Sequence, residues 1–258
     1  MQSFLSLLAI AVVSATAMAR AEDPPPRPPA VSAAKPGPRS DPASAKAPAF
    51  PADETLTYTI NWPTGLSLGE ARLRTVRRNT PDGPRVENSF HLDASVPGFP
   101  VLEDHRSIAT GDFCSVEFDK KYSHGKRKAD EKMMFDQQNH TATRETKDGG
   151  KSDLSTPTCA KDALAYLGYI RTELSNGRLP PHQPVYYGAA YELRVEFTGT
   201  FSVKLNDAPI NADRILATLK GPKADITFET FFTKDAARTP VLVRVPLSLA
   251  TFSMELVR

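Results

Sequence analysis

Lys234-Asp235-Ala236-Ala237-Arg238 sets a carboxylate three residues before a guanidinium, on a polar turn between the apolar runs FETFF and PVLVRV. An aspartate so placed could act as a general base, or it could accept bonds from its own turn amides while the arginine spans back to it. Base chemistry needs a nucleophile or metal within reach. None accompanies Asp235, so the hairpin reading is preferred. Glu103-Asp104-His105-Arg106 groups two carboxylates with an imidazole, the materials of a metal or acid–base cluster, but with no second cluster it reads as a charged turn. KDGGKSD, Lys147 to Asp153, lacks the ligand spacing of a calcium loop and reads as a turn. His91, His105, His124, His140 and His182 are scattered singly, without metal-ligand spacing. The chain holds no Gly-x-Ser-x-Gly elbow, phosphate-binding glycine loop, His-Glu-x-x-His or dinucleotide fingerprint. No catalytic residue, metal or cofactor is therefore expected.

The ends and the composition say where such a chain works. Residues 1–21 hold an uncharged apolar stretch from Phe4 to about Val13. Small residues follow it, offering cleavage at Ala17-Met18-Ala19 or Ala19-Arg20-Ala21. This reads as a secretory signal peptide, too short to span a bilayer, which takes about 20 residues. No cysteine follows it to carry a lipid anchor, and no later run could span, so a soluble periplasmic or secreted protein is expected. Residues 22–52 are rich in Pro, Ala, Ser, Lys and Arg and cannot bury a core, so they read as an extended, disordered linker. Residues 53–258 are then one domain. A net charge of +2, from 32 Lys+Arg against 30 Asp+Glu, supplies no field that would favour nucleic acid. The one local excess, KKYSHGKRK at Lys120 to Lys128, reads as a solvated hairpin tip rather than a phosphate-binding patch. Cys114 and Cys159 are the only cysteines, and in an oxidising compartment a disulfide between them is the economical expectation.

The elements that must position these residues are mostly strands. Leu56, Tyr58, Ile60 and Trp62 alternate with polar residues, as do Val86, Asn88, Phe90, Leu92 and Ala94, Cys114, Val116 and Phe118, and Tyr191, Leu193, Val195 and Phe197. Gly65 and Gly69 turn the chain after the first strand, and EARLRTVRR should pair antiparallel with it. In the tail, Val241 to Leu249 and Ala250 to Leu256 occupy opposite parities, which demands a bulge or reversal near Leu249-Ala250. One segment departs from period two. Ala163, Leu164, Leu167, Ile170 and Leu174 recur at three- and four-residue spacing, the face of a helix opened by Thr156-Pro157 and stopped at Asn176-Gly177. Cys159 then falls in its first turn, and a disulfide to strand residue Cys114 would pin helix to sheet. The fold expected is mainly β: a curled antiparallel sheet, a β-roll or half-barrel, covered by one α-helix.

Three motifs in order, ETLTYTINW, CAKDALAYLGYIR and KDAARTPVLVRVPL with a closing MEL, resemble the bacterial exported family catalogued as domain of unknown function 3108. The resemblance covers residues 53–258 and implies a periplasmic curved sheet with a helix, similar to the half-barrels of lipoprotein carriers, with no established reaction. It implies that Tyr58, Asp162, Arg171, Asp235, Arg238 and Pro240 are signature positions of binding or of folding, and Trp62, closing the first motif, is carried with them.

The leading functional expectation is a non-enzymatic cell-envelope protein that binds a lipid or another envelope protein, on the strength of many large apolar residues at alternate strand positions. The first alternative is a hydrolase or carbohydrate-acting enzyme pairing Asp235 with Glu229 or Glu103, which would require the carboxylates about 5 to 10 Å apart across a cleft. The second is a scaffold whose sheet edge accepts a partner strand.

Overall fold

The computed structural model describes residues 50–96, 99–222, 225–246 and 250–257. The expected signal peptide, and the expected linker as far as residue 49, lie outside the described residues. Phe50, near the end of that linker, is buried against Phe113 and Val86.

Among the described residues, fifteen strands form one sheet. Eight come first: β1 (Asp53–Asn61), β2 (Ser67–Thr80), β3 (Gly83–Val96), β4 (Phe99–Thr110), β5 (Ser115–His124), β6 (Arg127–Asp136), β7 (Thr141–Thr146) and β8 (Lys151–Ser155). A two-residue strand β9 (Lys161–Asp162) leads into helix α1 (Ala163–Ser175). There follow β10 (Gln183–Tyr186), β11 (Ala190–Leu205), β12 (Ala208–Lys220), β13 (Asp225–Thr233), β14 (Pro240–Pro246) and β15 (Thr251–Val257). The order across the sheet is β8 to β1, then β15 down to β9. Two meanders are thus joined where β1 pairs antiparallel with both β2 and β15. Hairpins suffice for every antiparallel neighbour within a meander. The one parallel pair among the described residues, β9 with β10, needs a crossover, and α1 is that crossover.

Twist brings the two ends of the sheet together. The Ser115 amide at the start of β5 donates to the Ala160 carbonyl just before β9 at 2.8 Å, and the Tyr186 hydroxyl on β10 donates to the Ser155 carbonyl ending β8 at 3.0 Å. Gln137 donates to both Ser115 and Ala160 carbonyls. The sheet is therefore a large open one, curled until its edges touch at one end.

The expected alternation holds in detail on β1 and β3, where Leu56, Tyr58 and Ile60, and Val86 through Ala94 at every second position, are buried. It fails at two bulges. On β11 the register shifts between Phe197 and Gly199, and Phe197 is 51% exposed instead of facing inward. At the start of β5, Ala109 pairs with Ser115 and Ile108 with Glu117, so Val116 is the extra residue and Ser115 turns inward with Phe118. In the tail, β14 pairs antiparallel with β15, Pro246 opposite Thr251, and Leu249 of the expected slip lies outside the described residues.

The helix begins later than Thr156-Pro157 predicts. Cys159 takes a left-handed φ of 57°, which interrupts any helix there, and the first helical residue is Ala163 with Asp162 as N-cap. The disulfide between Cys114 and Cys159 is present, but it ties the turn before β5 to the turn before β9 rather than a helical turn to a strand. At 13 residues the helix is about 20 Å long. Its stop is as expected: Gly177 adopts a φ of 72°, its amide bonds the Leu174 carbonyl, and the Arg178 amide bonds that of Glu173. Gly168 sits mid-helix because a Cβ there would lie 2.3 Å from the Phe113 ring, so the helix rests directly on that side chain.

Candidate functional site

Helix and sheet do not close on each other completely. A cavity of about 150 Å³ remains between α1 and the concave face. Leu164, Leu167 and Ile170 line it from the helix, and Leu193, Ile215, Ile226, Phe228 and Phe232 from β11 to β13. Leu73, Phe90 and Phe118 face them across the curl. Residues of the predicted apolar helix face thus border the cavity, while Ala165, Tyr166, Gly168 and Arg171 are buried in addition. Five side chains with polar atoms stand on the wall: Tyr58, His105, Tyr166, Tyr187 and Thr230.

His105 belongs to a buried cluster that the charged-turn reading of Glu103–Arg106 misses. That segment lies within β4, where Val101, Glu103, His105, Ser107 and Ala109 all point inward. Glu103 is 0% exposed, and its two carboxylate oxygens meet His105 Nε2 and His124 Nε2, each at 2.8 Å. Burial pushes the Glu103 carboxyl upward, but the hydrogen bonds from His105 and His124 outweigh it and hold the group below its ordinary value. Glu103 is thus an anion, so both Nε2 atoms carry hydrogens and donate. Tyr187 lies edge-on to His105, its hydroxyl 3.0 Å from the same Nε2. Burial keeps that phenol protonated, with its pKa well above the ordinary value.

A second polar group lies behind Tyr187. Lys120 is buried rather than on a solvated hairpin tip, 3.3 Å from Glu131 and 4.4 Å from the centre of the Tyr187 ring, and Arg144 donates to Glu131 at 2.8 Å. Of the basic run, the turn itself takes only Gly125 and Lys126. Gly188 allows this approach: it has a φ of 72°, and a Cβ would lie 2.5 Å from the Glu131 carboxylate and 2.7 Å from the Lys120 ammonium.

The signature positions divide into three places. Tyr58, Arg171 and Pro240 converge at one end of the helix. The Arg171 guanidinium forks onto Glu54 of β1 at 2.6 and 3.0 Å, donates through Nε to the Ala237 carbonyl, and lies 4.1 Å from the centre of the Phe50 ring. Tyr58 donates to the Pro240 carbonyl at 2.9 Å, and burial raises its pKa. Asp162 stands at the other end of α1. It accepts from the Leu164 and Ala165 amides and from the hydroxyls of Ser107 and Ser115, and burial raises its pKa against the pull of these four donors. Thus the bulge at Val116 aims Ser115 at the helix cap. Trp62 lies apart, edge-on to Phe252 with ring centres 4.9 Å apart.

Asp235 makes the predicted turn, accepting from the Arg238 amide at 3.1 Å and the Thr233 hydroxyl at 2.7 Å. The Arg238 side chain does not span back to it. Its φ of 47° directs the guanidinium to Asp213 on β12 at 2.7 Å. Of the carboxylates considered for hydrolysis, Glu229 is engaged by Arg214 and Arg244 on the sheet, Asp235 by its own turn, and Glu103 by two histidines. Each is thus engaged by partners of its own, those of Glu229 on the neighbouring strands β12 and β14 and those of Glu103 on β4 and β5.

Of KDGGKSD, Lys147 to Gly150 form the expected turn between β7 and β8, and Lys151 to Asp153 begin β8. Among the described residues, no helix is long and apolar enough to cross a membrane.

Among solved structures, the chain is similar to a crystal structure described as a beta-barrel-like protein of domain of unknown function DUF1849 from Brucella abortus. The TM-score is 0.56 at 6% identity, over 81% of this chain and 97% of that one, so the likeness is of fold alone. No curated protein matches. A family model described as protein of unknown function (DUF3108) matches residues 57–257, which takes in the second and third motifs whole and the first from Thr57 onward, and the chain belongs to that family.

Proposed function

We propose that this is an exported, non-enzymatic cell-envelope protein that holds part of an apolar chain between α1 and the concave sheet. The observation that carries the reading is the cavity: about 150 Å³, walled almost wholly by aliphatic and aromatic side chains. Space of this size and lining stays dry and takes up a benzene-sized guest, about six carbons. The enclosed volume therefore suits the end of an alkyl chain rather than a whole lipid. At about 0.8 kcal/mol per buried methylene, six carbons supply roughly 5 kcal/mol, or a Kd of about 0.2 mM before ordering costs. Tighter binding requires polar contacts or chain held outside the enclosed part. The Cys114–Cys159 disulfide supports an oxidising compartment.

The test is organic extraction of the purified full-length mature protein followed by mass spectrometry. An alkyl-chain lipid should be recovered from the wild type and strongly depleted from Leu167→Trp, which fills the cavity from the helix side. A clean extract, with no saturable binding of added 1-octanol, would overturn the reading.

A further inference from the structure

Lys161, on the two-residue strand β9, is 5% exposed and has no carboxylate in ion-pair contact among the described residues. Its ammonium is held instead by the Cys159 carbonyl at 2.9 Å, by Cys159 Sγ at 3.2 Å, and by the Tyr169 ring, whose centre lies 4.4 Å away. Burial lowers its pKa to about 8 against the more distant pull of Asp112 and Glu173, so at neutral pH the group is still mostly charged. A desolvated ammonium with neutral partners alone is costly. Reduction of the Cys114–Cys159 bond would supply the missing anion at Cys159 Sγ. The surroundings allow that bond to open and re-form. Both cysteines are half-buried rather than sealed in the core. Their segments are also held together without the sulfurs: the Ser115 amide donates to the Ala160 carbonyl at 2.8 Å, and the Gln137 amide group donates to the Ser115 and Ala160 carbonyls and accepts from the Ala160 amide at 3.0 Å. Two thiols therefore stay side by side after reduction, with Lys161 beside Cys159.

We infer that the Cys114–Cys159 disulfide is an exchange site for low-molecular-weight thiols, in which the Lys161 ammonium receives Cys159 as the leaving thiolate. The attacking thiolate bonds to Cys114 Sγ, the Cys114–Cys159 bond breaks, and its electron pair leaves on Cys159 Sγ, where the ammonium meets it. A second thiolate then displaces Cys114 from the attacking sulfur. Two thiols of the reductant thus become one disulfide, and the protein gains two electrons, with two protons once both cysteines are thiols. The choice of sulfur follows from charge: the cation stands at Cys159, and a thiol beside a lysine ionises more readily and leaves faster. The same contact stabilises the reduced form, because it pairs a buried cation that the oxidised form leaves without an anion. This site is separate from the apolar-chain reading, and neither depends on the other.

The test is the reaction of oxidised, folded, full-length mature protein with glutathione at neutral pH, quenched with N-ethylmaleimide and mapped by peptide mass spectrometry. The first adduct should carry glutathione on Cys114 and N-ethylmaleimide on Cys159. In the reduced wild type, limiting iodoacetamide should label Cys159 ahead of Cys114, and Lys161→Met should erase that preference. Lys161→Met should also slow the glutathione reaction several-fold and lower the equilibrium constant for reduction about tenfold, the least expected for a hydrogen bond to a charged group and equivalent to about 30 mV. Should Lys161→Met fail to fold, the position of the wild-type adduct decides alone. Glutathione on Cys159 or evenly on both sulfurs, a disulfide that reacts only after unfolding, or an equilibrium constant unmoved by Lys161→Met would each overturn the inference.

Discussion

Among the described residues, Arg171 is the largest fully buried side chain, and its replacement by methionine tests how the helix is held over the cavity. The guanidinium is 2% exposed and its partner Glu54 is 11% exposed, so truncating one member leaves a charge largely cut off from water. Breaking such a buried pair costs about 3–5 kcal/mol. Glu54 keeps some solvent contact, which favours the lower end, while the Ala237 carbonyl also loses its donor. Methionine retains contact with the Phe50 ring, so little of the loss is packing. We expect Arg171→Met to cost about 3 kcal/mol, a large fraction of a typical domain stability of about 5–15 kcal/mol. With a urea m-value of about 3 kcal/mol/M, the unfolding midpoint followed by circular dichroism should fall by about 1 M.

The double variant Glu54→Met/Arg171→Met is the control that gives the measurement its meaning. With both charges removed no buried ion remains, and the pair should recover most of the loss. Arg171→Lys should not rescue, because an ammonium cannot fork onto the carboxylate and also reach the Ala237 carbonyl in one plane. A midpoint for Arg171→Met within experimental error of wild type, or a double variant no more stable than the single one, would refute the claim that a buried ion pair clamps α1 to β1.

Three further outcomes follow from the same contacts. Glu103 is held below its ordinary pKa, so its contribution is present above the unfolded value of about 4.3 and is lost as pH falls through the lower folded value. The stability gap between wild type and Glu103→Gln, read from urea midpoints between pH 6 and 3, should therefore narrow toward acid. Burial lowers the Lys161 ammonium to about 8, so between about 8 and the unfolded value of about 10.4 the unfolded chain binds the extra proton and stability rises with pH. Lys161→Met should flatten that rise, and an unchanged slope would refute the assignment. Reduction of Cys114–Cys159, which closes a sequence separation of 45, should cost at most about 4 kcal/mol, seen as a lowered urea midpoint in reductant.

How far the sequence discloses this architecture depends on the range of the force involved. Period two reflects a neighbour-to-neighbour alternation of environment, so β1 and β3 are legible residue by residue, and the stop at Gly177 is equally local, requiring only a left-handed backbone. The start of α1 is not local. Thr156-Pro157 is an acceptable cap taken alone, but the left-handed backbone at Cys159 and the parallel pairing of β9 with β10 keep the following residues out of a helix. Asp162 wins as cap because Ser107 and Ser115, 55 and 47 residues away, donate to its carboxylate. The polar wall was obscured for a related reason. On β4 the inward parity reads Val101, Glu103, His105, Ser107, Ala109 and the outward one includes Leu102 and Ile108, so hydropathy marks neither as the buried face. Only His124 and Tyr187, from other strands and loops, make it tolerable to bury Glu103 and His105. A buried charge is specified by partners distant in sequence, whereas a buried leucine is specified by its own strand. In this family fold the outline of the roll can therefore be read from the chain, while the chemistry of its interior becomes visible only when the strands are laid side by side.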